Sequence, residues 1–206
     1  MELSKDYYKI KLIGKYLACS HGAIQMAVER QEQQLKNDQT PDLIGQLLLA
    51  DNIISEEELN IGLRKQRADR LLECPVFQEL QATELAGIGN KFYEVSIPAG
   101  ETFIKKGEND PFLYVISSGK VEVFITNDQG KDIHIAYVEA FEPIGEMGYF
   151  QGGIHTASIR AVERTHLLKA PYSGLTHYFE HVPKVAHAFI DMMNRRQAEN
   201  EAKLKK

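Results

Sequence analysis

The hydrophobic and polar positions of the first seventy residues recur with the period of an α-helix. Apolar residues such as Leu59 follow an acidic stretch. Ser55 and Glu58 have the spacing of a capping box, in which the two side chains accept hydrogen bonds from backbone N–H groups that the first helical turn leaves unpaired. The pattern therefore predicts a helix that begins near Glu56 and runs toward Arg70.

The same segment contains a faint internal repeat. In each half a hexapeptide headed by leucine comes ahead of a short helical run, and a polar stretch from residue 31 to Pro41 joins the two halves. We interpret residues 1–70 as a helical docking domain made of two similar helical hairpins. The paired stretches are residues 12–17 with 27–31 and residues 43–48 with 62–66.

After Pro75 the pattern changes to short runs of β-forming residues separated by Gly, Asn and Asp. Many short strands at this spacing are typical of a sandwich or a barrel. The predicted strands are residues 92–97, 101–104, 112–116, 121–125, 133–138, 157–162 and 166–170.

The chain returns to a helical pattern after Pro183, a residue type that suits the first turn of a helix. The tail beyond Asn194 is almost wholly polar, so we expect a fraying or solvated helix end, with residues 198–206 as a polar tail. The default role of the apolar face is core packing, but a helix this apolar often finds a partner. That face is predicted to comprise Val185, Ala186, Phe189, Ile190 and Met193.

Composition narrows the function classes. A formal net charge of -5 argues against a generic nucleic-acid binder, because binding to phosphate backbones needs a basic footprint. Cys19 and Cys74 are too few and too isolated for a disulfide framework or a CxxC motif. No apolar run approaches the roughly 18 residues of a membrane span, and no secretion signal opens the chain. We therefore expect a cytoplasmic protein with no DNA-binding domain and no membrane span.

One segment between two predicted strands, residues 143–161, has the chemistry of a ligand site. A short helical turn that opens at Gly145 and Glu146 would present backbone N–H groups to an anion. Glu146 is able to accept hydrogen bonds from ribose hydroxyls, and His155 and Thr156 are able to donate to phosphate oxygens. The surrounding strands would supply apolar walls for a base.

This segment resembles the phosphate-binding cassette of cyclic-nucleotide-binding domains. The family pattern F-G-E-(L/M)-(A/G)-(L/I), a spacer and R-(A/S)-A-(T/S)-(V/I)-x-A is similar to I-G-E-M-G-Y-F-Q-G-G-I-H-T-A-S-I-R-A at residues 144–161. Upstream residues 97–101, 106–110 and 114–121 also resemble strand and turn signatures of the family, and the resemblance covers residues 74–197.

The resemblance implies an α+β fold. This fold is a cyclic-nucleotide-binding-type β-roll, or jelly roll, with C-terminal helices, here preceded by the small helical domain. It also implies a cyclic nucleotide, cyclic AMP or cyclic GMP, as the ligand. In dimeric members of the family the C-terminal helix pairs with its copy, so the resemblance also implies a homodimer through this helix. The ligand-binding residues that it implies are Gly145, Glu146, Met147, His155, Thr156 and Ala157.

Two departures from the family pattern bear on the ligand. His155 stands where the family has an arginine, and it lacks the bidentate fork and the permanent charge that bind a phosphate well. Phe141 stands where the family has a glycine. Arg160 lies five positions after His155, so in a strand its side chain would point to the opposite face and would not replace the arginine.

The N-terminal segment has a second, fainter resemblance, to the N-terminal domains of type II secretion and type IV pilus ATPases, some of which bind cyclic di-GMP. It rests on residues 43–54 with Leu59, Leu63 and Gln66. Leu12 and Leu43 stand where that family has an arginine. A plain helical docking module is therefore favoured over nucleotide binding at this end.

The leading hypothesis is a non-enzymatic regulatory protein, whose cyclic-nucleotide-binding-like sensor passes its ligand state to a protein partner through the N-terminal helices. The alternatives are a nucleotide-free interaction scaffold, for example in secretion or motility machinery, and a binder of cyclic di-GMP. No catalytic motif occurs, so we expect no catalytic residues. His177 and His181 have a spacing that is able to bind a metal on a helix, but surface histidines are favoured and no metal or other cofactor is expected.

Overall fold

The computed structural model describes residues 13–204. The chain forms two compact units, and the boundary between them lies between Arg67 and Ala68. Leu12 of the repeat and residues 205–206 of the polar tail lie outside the described residues. Within 13–204, no helix is both long enough and apolar enough to cross a membrane. The docking role and the domain boundaries inferred from the sequence stay predictions.

The first part of the chain is helical, as the sequence predicts. A 3-10 turn at Ile13–Tyr16 is followed by α1 (His21–Lys36), α2 (Ile44–Ala50) and α3 (Glu56–Leu72). A small apolar core packs these elements together, and its buried members are Leu17, Ala27, Ile44, Leu47, Leu48 and Ile54.

The capping box at the start of α3 is confirmed. The Ser55 backbone N–H donates to Glu58 Oε2 at 2.8 Å, and the Glu58 backbone N–H donates to Ser55 Oγ at 3.2 Å. The Ser55 hydroxyl also donates to Glu58 Oε2, at 2.9 Å, and the two hydrogen bonds from the Ser55 N–H and hydroxyl groups lower the pKa of the Glu58 carboxyl group, because they favour its charged form.

The two predicted hairpins differ in the structure. The first consists of the 3-10 turn and α1, whereas the second consists of α2 and α3. Helix α1 continues to Lys36 instead of ending near residue 31, because the Gln and Lys residues of this stretch are good helix formers. The polar connection is therefore shorter than the sequence predicts.

The second unit contains two four-stranded antiparallel sheets that form the predicted β-roll. One sheet has the strand order β1-β8-β3-β6 and the other has the order β2-β7-β4-β5. The strands are β1 (Tyr93–Ile97), β2 (Thr102–Ile104), β3 (Phe112–Ser118), β4 (Val121–Thr126), β5 (Asp132–Val138), β6 (Pro143–Ile144), β7 (Ser158–Ala161) and β8 (Thr165–Pro171).

The seven predicted strands are confirmed, with small shifts at their ends. The sequence analysis did not identify the two-residue strand β6 or helix α4 (Ala82–Gly89). Both elements are short, and α4 contains two glycines near its end, which weakens the helical signal.

Strand β3 is buried on both of its faces. Leu113 and Val115 belong to the core between this sheet and the helices, whereas Tyr114 and Ile116 belong to the core between the two sheets. Because successive side chains of a strand point to opposite faces, this alternation places the sheet between the helices and the second sheet.

Two helices, α5 (Tyr172–His181) and α6 (Pro183–Leu204), follow the last strand, and α6 begins at the predicted proline. Its buried face comprises Val185, Phe189 and Met192. The prediction that Ile190 belongs to this face is wrong: Ile190 is 45% exposed, because one residue beyond Phe189 is a rotation of about 100° around the helix.

We predict that Gly119→Ala destabilises the β-roll strongly. Gly119 connects β3 of one sheet to β4 of the other at a φ of 96°, and a Cβ there would lie 2.8 Å from Thr165 Cα and 2.9 Å from the Arg164 carbonyl oxygen. Since those neighbours are backbone atoms, relief of the clash requires the chain itself to move. We expect a loss of about 3 kcal/mol in the free energy of unfolding, measured by urea denaturation.

Gly130→Ala is the matched control, because Gly130 also has a positive φ, 76°, but no atom lies within 4 Å of its added Cβ. It should lose only the conformational part, about 1 to 2 kcal/mol. Equal losses in the two variants would contradict the role assigned to the close approach at Gly119.

Candidate functional site

A cavity of about 350 Å³ opens in the second unit, and all six ligand-binding residues predicted from the sequence line it. These six are Gly145, Glu146, Met147, His155, Thr156 and Ala157. Strands β4, β5 and β7 supply apolar walls, and α6 supplies charged side chains. The further lining residues are Val123, Ala136, Tyr137, Val138, Glu142, Ile144, Ile159, Arg195, Arg196 and Glu199.

The turn at Gly145 fixes the first half of the site. Gly145 has a left-handed φ of 83°, and a Cβ there would lie 2.9 Å from the Phe112 carbonyl oxygen. Only glycine meets both demands without strain. The Tyr172 hydroxyl donates a hydrogen bond to the Gly145 carbonyl oxygen, and burial raises the pKa of Tyr172, so this donor stays protonated. A 3-10 helix over Glu146–Gln151 follows.

Glu146 is a buried carboxylate that pairs with a guanidinium group of α6. Its Oε2 atom lies 3.0 Å from Arg196 Nη1, while Arg196 Nη2 lies 2.6 Å from Glu142 Oε2. The same guanidinium donates to the Pro143 carbonyl oxygen. Arg196 therefore bridges two carboxylates and a carbonyl group, and the three partners lie within the span of residues 142–146.

The electrostatics of the bridge follow from this geometry. Burial by itself would lower the pKa of Arg196, but the charges and hydrogen bonds of Glu146 and Glu142 outweigh it, so the pKa lies above its ordinary value. A guanidinium is well suited to this role because its planar fork donates to two acceptors at once.

The sequence analysis missed Arg196, since it treated the polar tail beyond Asn194 as solvated. That interpretation is wrong for Arg196, because α6 continues to Leu204 and this side chain is largely buried. A signal was present in the sequence. Arg196 follows Met192 by four residues and Phe189 by seven, so it continues the buried face of the helix.

His155 is buried, and its ring is hydrogen bonded within the protein. Its Nε2 atom lies 2.9 Å from the Asp110 carbonyl oxygen, and because a carbonyl oxygen only accepts, Nε2 must donate. The same nitrogen lies 3.8 Å from the carboxylate of Asp110, which also accepts a hydrogen bond from the Tyr114 hydroxyl at 2.6 Å and contacts Lys169 at 3.6 Å. His155 thus joins the cavity wall to a polar cluster behind it.

The remaining predicted site residues line the cavity, whereas Arg160 does not. Met147, Thr156 and Ala157 are partly buried and face the cavity. Arg160 does not line the cavity, as its position in β7 predicts. It pairs with Glu122 at 2.7 Å, and this hydrogen bond lowers the pKa of Glu122.

Phe141 has a left-handed φ of 70°, which is uncommon for a residue with a side chain. This conformation explains why a glycine would suit the position. The Phe141 N–H donates to the Ile116 carbonyl oxygen at 2.7 Å. Phe141 directly precedes Glu142, one of the two carboxylates that Arg196 bridges.

Comparisons with known proteins agree with this architecture. Residues 94–181 match the family model described as the cyclic nucleotide-binding domain. The chain is 30% identical over 130 residues to the cyclic AMP receptor protein of Thermus thermophilus, an alignment that covers 63% of this chain and 60% of the relative. It is 29% identical over 100 residues to the cAMP-activated global transcriptional regulator CRP of Salmonella typhimurium, covering 48% of each.

A solved structure, the catabolite activator protein of Thermus thermophilus, superimposes with a TM-score of 0.57 at 30% identity and covers 64% of this chain and 62% of that chain. The chain thus spans 60% or less of the length of these two curated relatives. The matches support the cyclic-nucleotide-binding family for the β-roll, and the predicted fold class is confirmed. They do not show the resemblance to secretion ATPases, which stays a prediction.

The same relatives correct the predicted partners. We expected no DNA-binding domain, a protein partner for the N-terminal helices and a second copy at α6. That set is wrong, because one relative is named as a transcriptional regulator and the aligned region covers only part of each relative's length.

We predict that Arg196→Gln destabilises the second unit, because it leaves the buried Glu146 carboxylate without its cationic partner. The expected loss is about 2 kcal/mol in the free energy of unfolding, measured by urea denaturation. Arg195→Gln is the control: this neighbouring arginine is exposed, so its loss should change stability by no more than about 0.5 kcal/mol. Equal effects of the two variants would refute a specific bridge at Arg196.

Proposed function

We propose that this protein is a non-enzymatic regulatory sensor whose cavity binds a ligand built on a purine ribonucleoside, the class to which cyclic AMP and cyclic GMP belong. The observation that supports this proposal most directly is the assembly of the whole cassette, with the buried Glu146 at its centre, around one cavity. The similarity to a cyclic AMP receptor protein supports the same class of ligand.

Glu146 is the proposed partner of the ribose. Arg196 contacts its Oε2 atom, and a carboxylate accepts about four hydrogen bonds in all, so acceptor capacity remains for a sugar diol. Thr156, whose hydroxyl is able to donate a hydrogen bond, lines the same cavity.

The apolar walls are the proposed partners of the base. Val123, Val138, Ile144 and Ile159 line the cavity opposite the charged side chains. A volume of about 350 Å³ lies within the usual range for small-molecule sites.

The ligand state would reach the rest of the protein through α6. A ribose that donates hydrogen bonds to Glu146 would share this carboxylate with Arg196, so binding would change how firmly the helix is attached to the cavity. The names of the relatives support control of transcription as the regulated process.

The rival function is a nucleotide-free interaction scaffold in which Arg196 fills the site permanently. Isothermal titration calorimetry of the full chain separates the two functions. The probes are adenosine, guanosine, cyclic AMP, cyclic GMP and cyclic di-GMP, each at up to millimolar concentration. The sensor proposal requires that at least one of adenosine, guanosine, cyclic AMP and cyclic GMP binds. The absence of heat from every probe would favour the scaffold.

We expect Glu146→Gln to weaken binding of the responding ligand at least tenfold, because hydrogen bonds to a charged acceptor are roughly twice as strong as those to a neutral one. Glu163→Gln removes the same charge from an exposed carboxylate outside the cavity and should leave affinity unchanged. If Glu146→Gln also leaves affinity unchanged, Glu146 is not the ribose partner.

A further inference from the structure

The cavity has an excess of negative charge. Three carboxylates and two guanidinium groups line it, so the carboxylates outnumber the cations by one. They are Glu142, Glu146, Glu199, Arg195 and Arg196. A ligand phosphate would add a further negative charge to this surface.

Neither arginine is well placed to neutralise that charge. Arg196 already lies 3.0 Å from Glu146 and 2.6 Å from Glu142, so a phosphate would have to compete with two carboxylates for it. Arg195 is exposed, so water screens its charge and an ion pair with a phosphate there would change affinity only a few-fold, roughly as much as the exposed carboxylate of Glu199 would oppose it.

His155 does not supply the missing cation either. Its Nε2–H group is already used in the hydrogen bond to the Asp110 carbonyl oxygen, and the Asp110 carboxylate lies 3.8 Å from the same nitrogen. The ring is also packed closely against the backbone, since a Cβ added to Gly145 or Gly148 would lie 3.4 Å from it. A change of ring orientation would therefore disturb the turn that forms the site.

Ribose binding does not remove the repulsion between a ligand phosphate and the carboxylates of the cavity. A hydroxyl that donates to Glu146 does not neutralise the carboxylate, and in a 3′,5′-cyclic nucleotide the phosphate is fused to the same sugar ring. The phosphate of such a ligand therefore lies within several ångströms of a like charge in a partly buried site, where screening is weak.

From these contacts we propose that the preferred ligand of the cavity is an uncharged purine ribonucleoside, and that the cavity discriminates against the corresponding cyclic monophosphate. This inference rests on the proposed function, because it assumes that the cavity binds a ribonucleoside at all. The chemical class follows from the groups present: apolar walls for a base, Glu146 for a sugar diol, and no uncommitted buried cation among the lining residues for a phosphate.

The test is calorimetric titration of the full chain with adenosine and guanosine, each compared with its own 3′,5′-cyclic monophosphate in the same buffer. We expect one nucleoside to bind at least tenfold more tightly than its cyclic monophosphate. If the cyclic monophosphate binds as tightly as the nucleoside, or more tightly, the inference is overturned while the proposed function stands. If none of the four ligands binds, both fail.

A charge variant tests the cause of the discrimination. Glu199→Gln removes the excess carboxylate from an exposed position and leaves both partners of Arg196 in place. It should raise the affinity for the cyclic monophosphate about threefold or more and change the affinity for the nucleoside less than twofold. Glu163→Gln, the same change outside the cavity, should alter neither affinity. A Glu199→Gln protein with an unchanged affinity ratio would refute the electrostatic origin of the preference.

Discussion

The guanidinium of Arg196 connects the last helix to the cavity, and the geometry of the site depends on this contact. The group bonds Glu142 before the cassette and Glu146 within it, so it closes a loop of chain that begins at a two-residue strand and ends at a 22-residue helix. A buried bridge of this kind stabilises only while all its members are present, because removal of one leaves a charge without a partner. A ligand that binds Glu146, as we propose, would thus be coupled to the helix through a single carboxylate.

The β-roll positions this contact through ordinary packing. Strand β3 is buried on both faces, and Tyr114, one of its inward side chains, donates to the Asp110 carboxylate that lies beside His155. The other face of β3 packs against the core that includes Phe189 of α6. The same strand therefore supports the polar cluster behind the cavity and the helix that crosses it.

Local patterns in the sequence were sufficient to predict much of this structure. The capping box at Ser55, the helix start at Pro183 and the helical turn that opens at Gly145 and Glu146 depend on residues close together in the chain, and each forms as predicted. The role of Arg196 depends on tertiary contacts about fifty residues apart: its spacing from Phe189 and Met192 indicates that the side chain turns inward, but no local pattern indicates which groups it meets there. The ring of His155 likewise faces a carbonyl group that no local pattern connects to it.

The stacking of Phe189 on Phe179, with ring centroids 4.1 Å apart, gives α6 a fixed point part of the way along its length. Arg196 lies seven residues beyond Phe189, or about 10 Å along the helix, and the helix ends at Leu204, about 22 Å from the same point. A rigid rod that pivots at the stacked rings would therefore move its far end about twice as far as its contact with the cavity. In such a motion helix α6 would act as a lever, and its length would set the ratio between the displacement of its far end and the displacement of Arg196 at the cavity.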